Sequence, residues 1–235
     1  MLPQPAVSAA RKRPGEFLSF RQPSEEFVLT DRSRLCYRDT REPMPWEKQF
    51  DVDRARQNAM SAFWTHGYEN TSMQDLLGAM GIQRGSFYDT FRSKRDVLLA
   101  ALAAYDQGRR ETFRKLARGH SPKEAIGALF RGVVAEAKSA SGRRGCFLVN
   151  SALELAPRDA DVAKIVNRAF AETDTFFRSM IERGQAEGEI PKHVDPVRTA
   201  QALLGMLLGM RVLARSGAGA RVLKAIAAQA AGSLG

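Results

Sequence analysis

The chain is short of the residues that build most catalytic and metal-binding sites. Its two cysteines, Cys36 and Cys146, are too few and too far apart for a disulfide framework or a zinc site. Its three histidines, His66, His120 and His193, show no metal-ligand or triad spacing. An enzyme is therefore not expected, nor is a metal or cofactor. The longest apolar run, roughly 202–210, falls well short of the ~20 residues that span a bilayer. No signal peptide is expected, because Arg11, Lys12 and Arg13 follow the partly apolar residues 2–10 instead of preceding them. No segment alternates polar and apolar residues with period two, and no internal repeat stands out. These absences predict an all-α, cytoplasmic protein with no membrane partner.

What is present is positive charge and helical periodicity. A net charge of +10 over 235 residues suggests an anionic partner, nucleic acid first. The charge is spread, with +2 over 1–46, +3 over 47–118 and +5 over 119–235, so charge alone selects no surface. Residues 1–46 carry Pro3, Pro5, Pro14, Pro23, Pro43 and Pro45 and hold no apolar period, so a disordered extension is expected. Met44 offers an alternative start for the natural product. From there helices follow one another. Val52, Ala55, Ala59, Ala62 and Phe63 recur at helical spacing before Gly67, a C-cap glycine. Ser72 with Asp75, and Ser93 with Asp96, have capping-box spacing. Ser121-Pro122-Lys123-Glu124 combines an N-cap, a first-position proline and a capping glutamate. Further helices are expected from Cys146 to about Leu155, over 159–187, from Asp195-Pro196 to about Ala214, and over about 220–232.

The sharpest signal is GIQRGSFYDTFRSK, residues 81–94. Two short helices, about 72–80 and 83–91, joined by Gly81-Ile82, have the length and turn of a helix-turn-helix. Phe87 and Phe91 share one face and can anchor the second helix, while Arg84, Gly85, Tyr88 and Asp89 lie opposite. Gly85 removes bulk where a backbone must come close to something. Gln83 and Arg84 stand at the end that enters the major groove in this motif.

TSMQDLLGAMGIQRGSFYDTFRSKRDVLLA resembles the DNA-binding motif of the TetR/AcrR transcriptional regulators, whose pattern ends in G-x-[LIF]-Y-x-x-F-x-[SD]-K. The resemblance spans about residues 50–105 position by position. It implies a DNA-binding domain over 47–105 and an effector-binding and dimerisation domain over 106–235. It implies a homodimer on double-stranded operator DNA, acting as a repressor released by a small-molecule effector or electrophile. By position, Ser72 or Thr71 would bind phosphate; Gln83, Arg84 and Ser86 would face bases or backbone beside Gly85; Tyr88 would reach a phosphate and Lys94 would clamp another. Asp89 departs from the pattern: it could accept from a cytosine N4 amino group or point away from the groove. A competing reading is a redox or ligand sensor that acts through a protein partner, its DNA binding vestigial.

Residues 201–214, QALLGMLLGMRVLA, offer a dimer surface through Leu203, Met206, Leu207 and Met210, with Gly205 and Gly209 permitting close approach. In the resembled family the last two long helices pair with their symmetry mates. Phe113, Phe130, Phe147, Phe170 and Phe177, with Cys146, are candidate walls of an effector pocket. Cys146 opens a helix just after Arg143 and Arg144, a setting that favours a thiolate. GCFLVNSALE resembles NemR-like members of the family, some of which sense electrophiles or oxidants at this cysteine. Where those members carry a partner lysine this sequence has Arg215, and a plain core cysteine is the other reading.

Overall fold

A computed structural model describes residues 50–139 and 142–235; the expected N-terminal extension and its alternative start lie outside the described residues. Among the described residues every regular element is helical: α1 (Val52–His66), α2 (Met73–Met80), α3 (Arg84–Thr90), α4 (Lys94–Gly119), α5 (Pro122–Glu136), α6 (Phe147–Glu154), α7 (Ala160–Ala186), α8 (Pro196–Arg215) and α9 (Ala220–Gly232). A short 3₁₀ turn, Gly142–Arg144, precedes α6.

Local chemistry explains most of the helix ends. Asp51, Asp159 and Asp195 each accept two backbone N–H bonds at the starts of α1, α7 and α8, filling donors that a first turn leaves unpaired. Ser72 and Asp75 form a full capping box on α2. α1 stops at Gly67 (φ 86°) and α2 at Gly81 (φ 69°), left-handed conformations that glycine adopts without a Cβ clash. Ser121 departs from the expected cap. Its hydroxyl donates to Glu189 at 2.5 Å, and the same carboxylate accepts the Lys123 N–H at 3.0 Å. A glutamate from beyond α7 thus replaces the local one, and Glu124 pairs with Arg131 instead.

The apolar interior forms two clusters. One joins α1–α3 and the start of α4 to α6 and the first half of α7, around Phe63, Leu76, Phe87, Leu98, Phe147 and Val166. The other joins the end of α4 to α5, the second half of α7, α8 and α9, around Phe113, Phe130, Phe177, Leu203 and Leu223. α4 and α7 serve both clusters, one at each end. The expected domain boundary at 105/106 falls inside α4, and the first core reaches past it to Ala169.

α8 also has the length and mean hydropathy (1.3) of a membrane-spanning helix, although its unbroken apolar run is short. Here Ala200, Leu203, Leu207 and Met210 pack into the second cluster.

Candidate nucleic-acid interface and interior cavity

α3 is held from below. Phe87 and Phe91 are buried with ring centroids 5.5 Å apart, so the helix is fastened by one face only. That leaves Gln83, Arg84, Gly85, Tyr88 and Asp89 exposed and Ser86 half-buried. Tyr88 is 51% exposed, an unusual state for an aromatic, with its ring edge-on to Phe87 at 5.2 Å. A Cβ added at Gly85 would meet nothing within 4 Å, so the glycine is not there for packing inside the protein. Gln83 precedes the helix without a side-chain cap bond, which leaves its amide to solvent or a ligand.

The phosphate-side residues divide. Ser72 is exposed, but its hydroxyl already donates to Asp75 at 2.6 Å and accepts the Asp75 N–H at 3.1 Å. Thr71 does not lie on this face: it is 1% exposed and its hydroxyl donates to the Gly67 carbonyl at 2.6 Å. Its expected phosphate contact is withdrawn, because its hydroxyl and its backbone N–H are both donated inside the α1–α2 loop. Lys94 rests its ammonium over the Tyr68 ring at 4.2 Å. Burial lowers its pKa against the opposing pull of Glu69 and Glu154.

A polar seam lies between the two apolar clusters. Asp106, 1% exposed, pairs with Arg109 and Arg110 at 2.7 Å each, and Arg168 stands 3.8 Å away. Glu172 binds the same two arginines at 2.6 and 2.8 Å, and Arg109 also donates to Thr173 at 3.1 Å. Burial pushes the Glu172 carboxyl up, but hydrogen bonds from Arg110 and Arg109 outweigh it and the net shift is downward. Beside the seam opens a small, partly open cavity of about 70 Å³, walled by Tyr105, Phe113, Cys146, Phe170, Leu207 and Arg211 among others.

Three of the six expected pocket residues, Phe113, Cys146 and Phe170, line this cavity. The others are corrections. Phe130 and Phe177 pack against each other in the second core (ring centroids 6.0 Å apart), and Phe147 packs with Trp64 and Tyr105. Aromatic spacing on a helix marks the buried face without saying which part of it borders a void. Cys146 is half-buried and accepts a hydrogen bond from the Tyr105 hydroxyl at 3.5 Å. Burial pushes the Tyr105 pKa well up, so that hydroxyl stays protonated. Arg144 is turned elsewhere, stacked 4.4 Å over Trp64 and donating to Ser61. Arg215 donates to the Arg144 carbonyl at 2.9 Å, tying α8 to the turn before Cys146.

The expected dimer residues need the same correction. Leu203, Leu207 and Met210 belong to the protomer's own core, and only Met206 is half-open. The open side of α8 carries Val197, Gln201, Gly205 and Val212, and Val222 on α9 is exposed as well. Sequence reasoning missed Arg109 and Arg211 at the cavity: the i,i+3 pair Asp106–Arg109 looks like an ordinary surface pair, and their other partners, Glu172 and Glu136, lie on other helices.

A one-sided recognition helix after a glycine turn, on an all-helical body, defines the class: helix-turn-helix regulators. The profile described as "Bacterial regulatory proteins, tetR family" matches residues 57–101, and "Tetracyclin repressor-like, C-terminal domain" matches 122–229. The repressor ComR of Escherichia coli (strain K12) is 31% identical over 182 residues, 77% of this chain and 87% of that protein. The regulator YezE of Bacillus subtilis (strain 168) is 34% identical over 144 residues, 61% of this chain and 74% of that one. The TetR family regulator CifR, solved as a cysteine mutant with a 26-base-pair operator, superposes with TM-score 0.72 at 31% identity, covering 79% of this chain and 97% of that chain. The chain belongs to the TetR family of DNA-binding transcriptional regulators.

Proposed function

We propose that the chain represses its target genes as a cytoplasmic homodimer. It grips an operator through α3 and releases it when a small molecule fills the interior cavity. The observation that carries the reading is the exposed row on α3, Gln83, Arg84, Gly85 and Tyr88, standing over a buried Phe87. Such a row has no packing purpose in the protomer. Arg84 supplies a fork suited to guanine edges, whereas Lys94 and Tyr88 supply the non-specific grip on phosphate. The open face of α8 and α9 joins two copies, which sets two recognition helices on half-sites spaced by the helical turn of DNA. The DNA-binding unit of about 47–105 and the effector unit of 106–235 meet along α4 and the polar seam.

The test is binding to genomic fragments recovered by the purified protein, measured across salt concentration. Arg84→Ala should flatten discrimination among operator variants. Lys94→Ala should weaken all sequences alike and reduce the salt slope by about one. Equal loss of sequence discrimination in both variants would refute the assignment of roles.

A further inference from the structure

We propose that the interior cavity takes a small carboxylate with an apolar body, its anionic head held by Arg211 and Arg109. This rests on the reading of the cavity as the effector site and names the class of ligand. Among the side chains that wall this partly open space two are guanidiniums and none is a carboxylate; Glu136 lines only the larger cleft that shares Tyr105, Arg109, Phe113 and Arg211 with it. The remaining wall is apolar apart from Tyr105, Thr173 and Cys146. A cationic ligand would be repelled there, and a neutral one would leave two desolvated arginine heads without a new partner.

The donors are available and oriented. Arg211 is paired with Glu136 through Nη1, and its Nε and Nη2 have no partner among the described residues. Glu136 is 54% exposed, so water screens its hold on Arg211, and a buried carboxylate can displace it. Burial works against the Arg211 charge, but the Glu136 carboxylate outweighs it and the group stays cationic. Arg109 is fixed by Asp106, Glu172 and Thr173 and lies 4.9 Å over the Phe113 ring. Its Nη1 carries two hydrogens, and Thr173 takes one. Across the seam three arginines (109, 110 and 168) face two carboxylates (106 and 172), so the network behind Arg109 keeps a positive excess. Phe113, Phe170 and Leu207 provide the apolar bed. A carboxylate between the two guanidiniums ties α4, whose other end belongs to the DNA-binding core, to α8.

The test is calorimetric titration of the full chain with hexanoate, benzoate and phenylacetate, each against its amide. At least one acid should bind, with its amide about tenfold weaker or worse. Glu136→Gln, an exposed change that removes the competitor, should strengthen acid binding several-fold. Arg211→Gln should abolish the preference for acid over amide. Amides that bind as tightly as acids, no acid binding below ~10 mM, or an affinity unmoved or weakened by Glu136→Gln would each overturn the proposal. Operator binding is scored separately on recovered genomic DNA. Its failure would sink the regulator reading, while the titration alone decides the ligand class.

Discussion

Removing the carboxylate of Asp106 should be among the most damaging single changes in the polar seam. Breaking a buried ion pair by deleting one partner costs about 3–5 kcal/mol, because the remaining charge is left desolvated. Asp106 is 1% exposed, and the Arg109 side chain keeps only 14% of its surface in solvent, so the pair comes close to that condition. Glu172 still holds Arg109 at 2.6 Å and Arg110 at 2.8 Å, which offsets part of the loss. We therefore expect Asp106→Ala to cost about 2–3 kcal/mol and Asp106→Asn about 1–2, since the amide keeps an acceptor toward Arg109. Urea unfolding at fixed protein concentration measures this directly, and thermal unfolding should fall by about 5–10 °C for the alanine variant. The double variant Asp106→Ala/Glu172→Ala should depart from additivity by more than about 1 kcal/mol, because both carboxylates serve the same guanidiniums. A loss under about 1 kcal/mol for Asp106→Ala would refute the argument, as that is the scale of a solvent-exposed pair.

The remaining expectations are shorter. Leu203→Ala should cost about 2–4 kcal/mol in unfolding yet leave light scattering at the dimer mass, whereas Val212→Asp should yield monomers with little change in secondary structure. The reverse pattern would return the interface to the buried side of α8. Hydrogen bonds from Arg95 lower the Asp159 carboxyl from 3.8 to about 2. Its contribution to stability is therefore complete above pH 3.8 and is lost as pH falls toward 2, so Asp159→Asn should flatten acid unfolding in that window. Cys146 borders the cavity, so iodoacetamide labelling of its peptide, read by mass spectrometry, should slow when a binding carboxylate is present. Unchanged labelling under saturation would place the ligand elsewhere.

Helix ends were legible in the sequence because their chemistry is local. Asp195-Pro196, Ser93 with Asp96, and Gly67 act within a few residues, and each closes or opens the helix expected of it. The Ser121 cap failed where a distant residue, Glu189, offered a better-placed acceptor. The recognition helix was legible because two aromatics four residues apart define its inner face and thereby its outer one. α8 has apolar residues on both sides, so periodicity could not say which side meets its own core, and the side chosen was the buried one. The cavity was half-read for a similar reason. A void is a property of several helices at once, and Arg211 joins it through tertiary position alone.

One short helix acquires a larger meaning from where its two ends lie. α6 begins beside Cys146 on the cavity and finishes at Glu154, whose carboxylate accepts the Glu69 N–H at 3.0 Å, next to the start of the helix-turn-helix. Eight residues make about 12 Å of helix, too short to absorb displacement by bending. A ligand that shifted the cavity end would therefore press on the operator-binding end, and the traffic would run both ways. An operator fragment would act as an antagonist of the ligand, raising its apparent dissociation constant by the same factor that the ligand weakens DNA. Affinities measured without DNA would then overstate the sensitivity of the regulator at its own promoter.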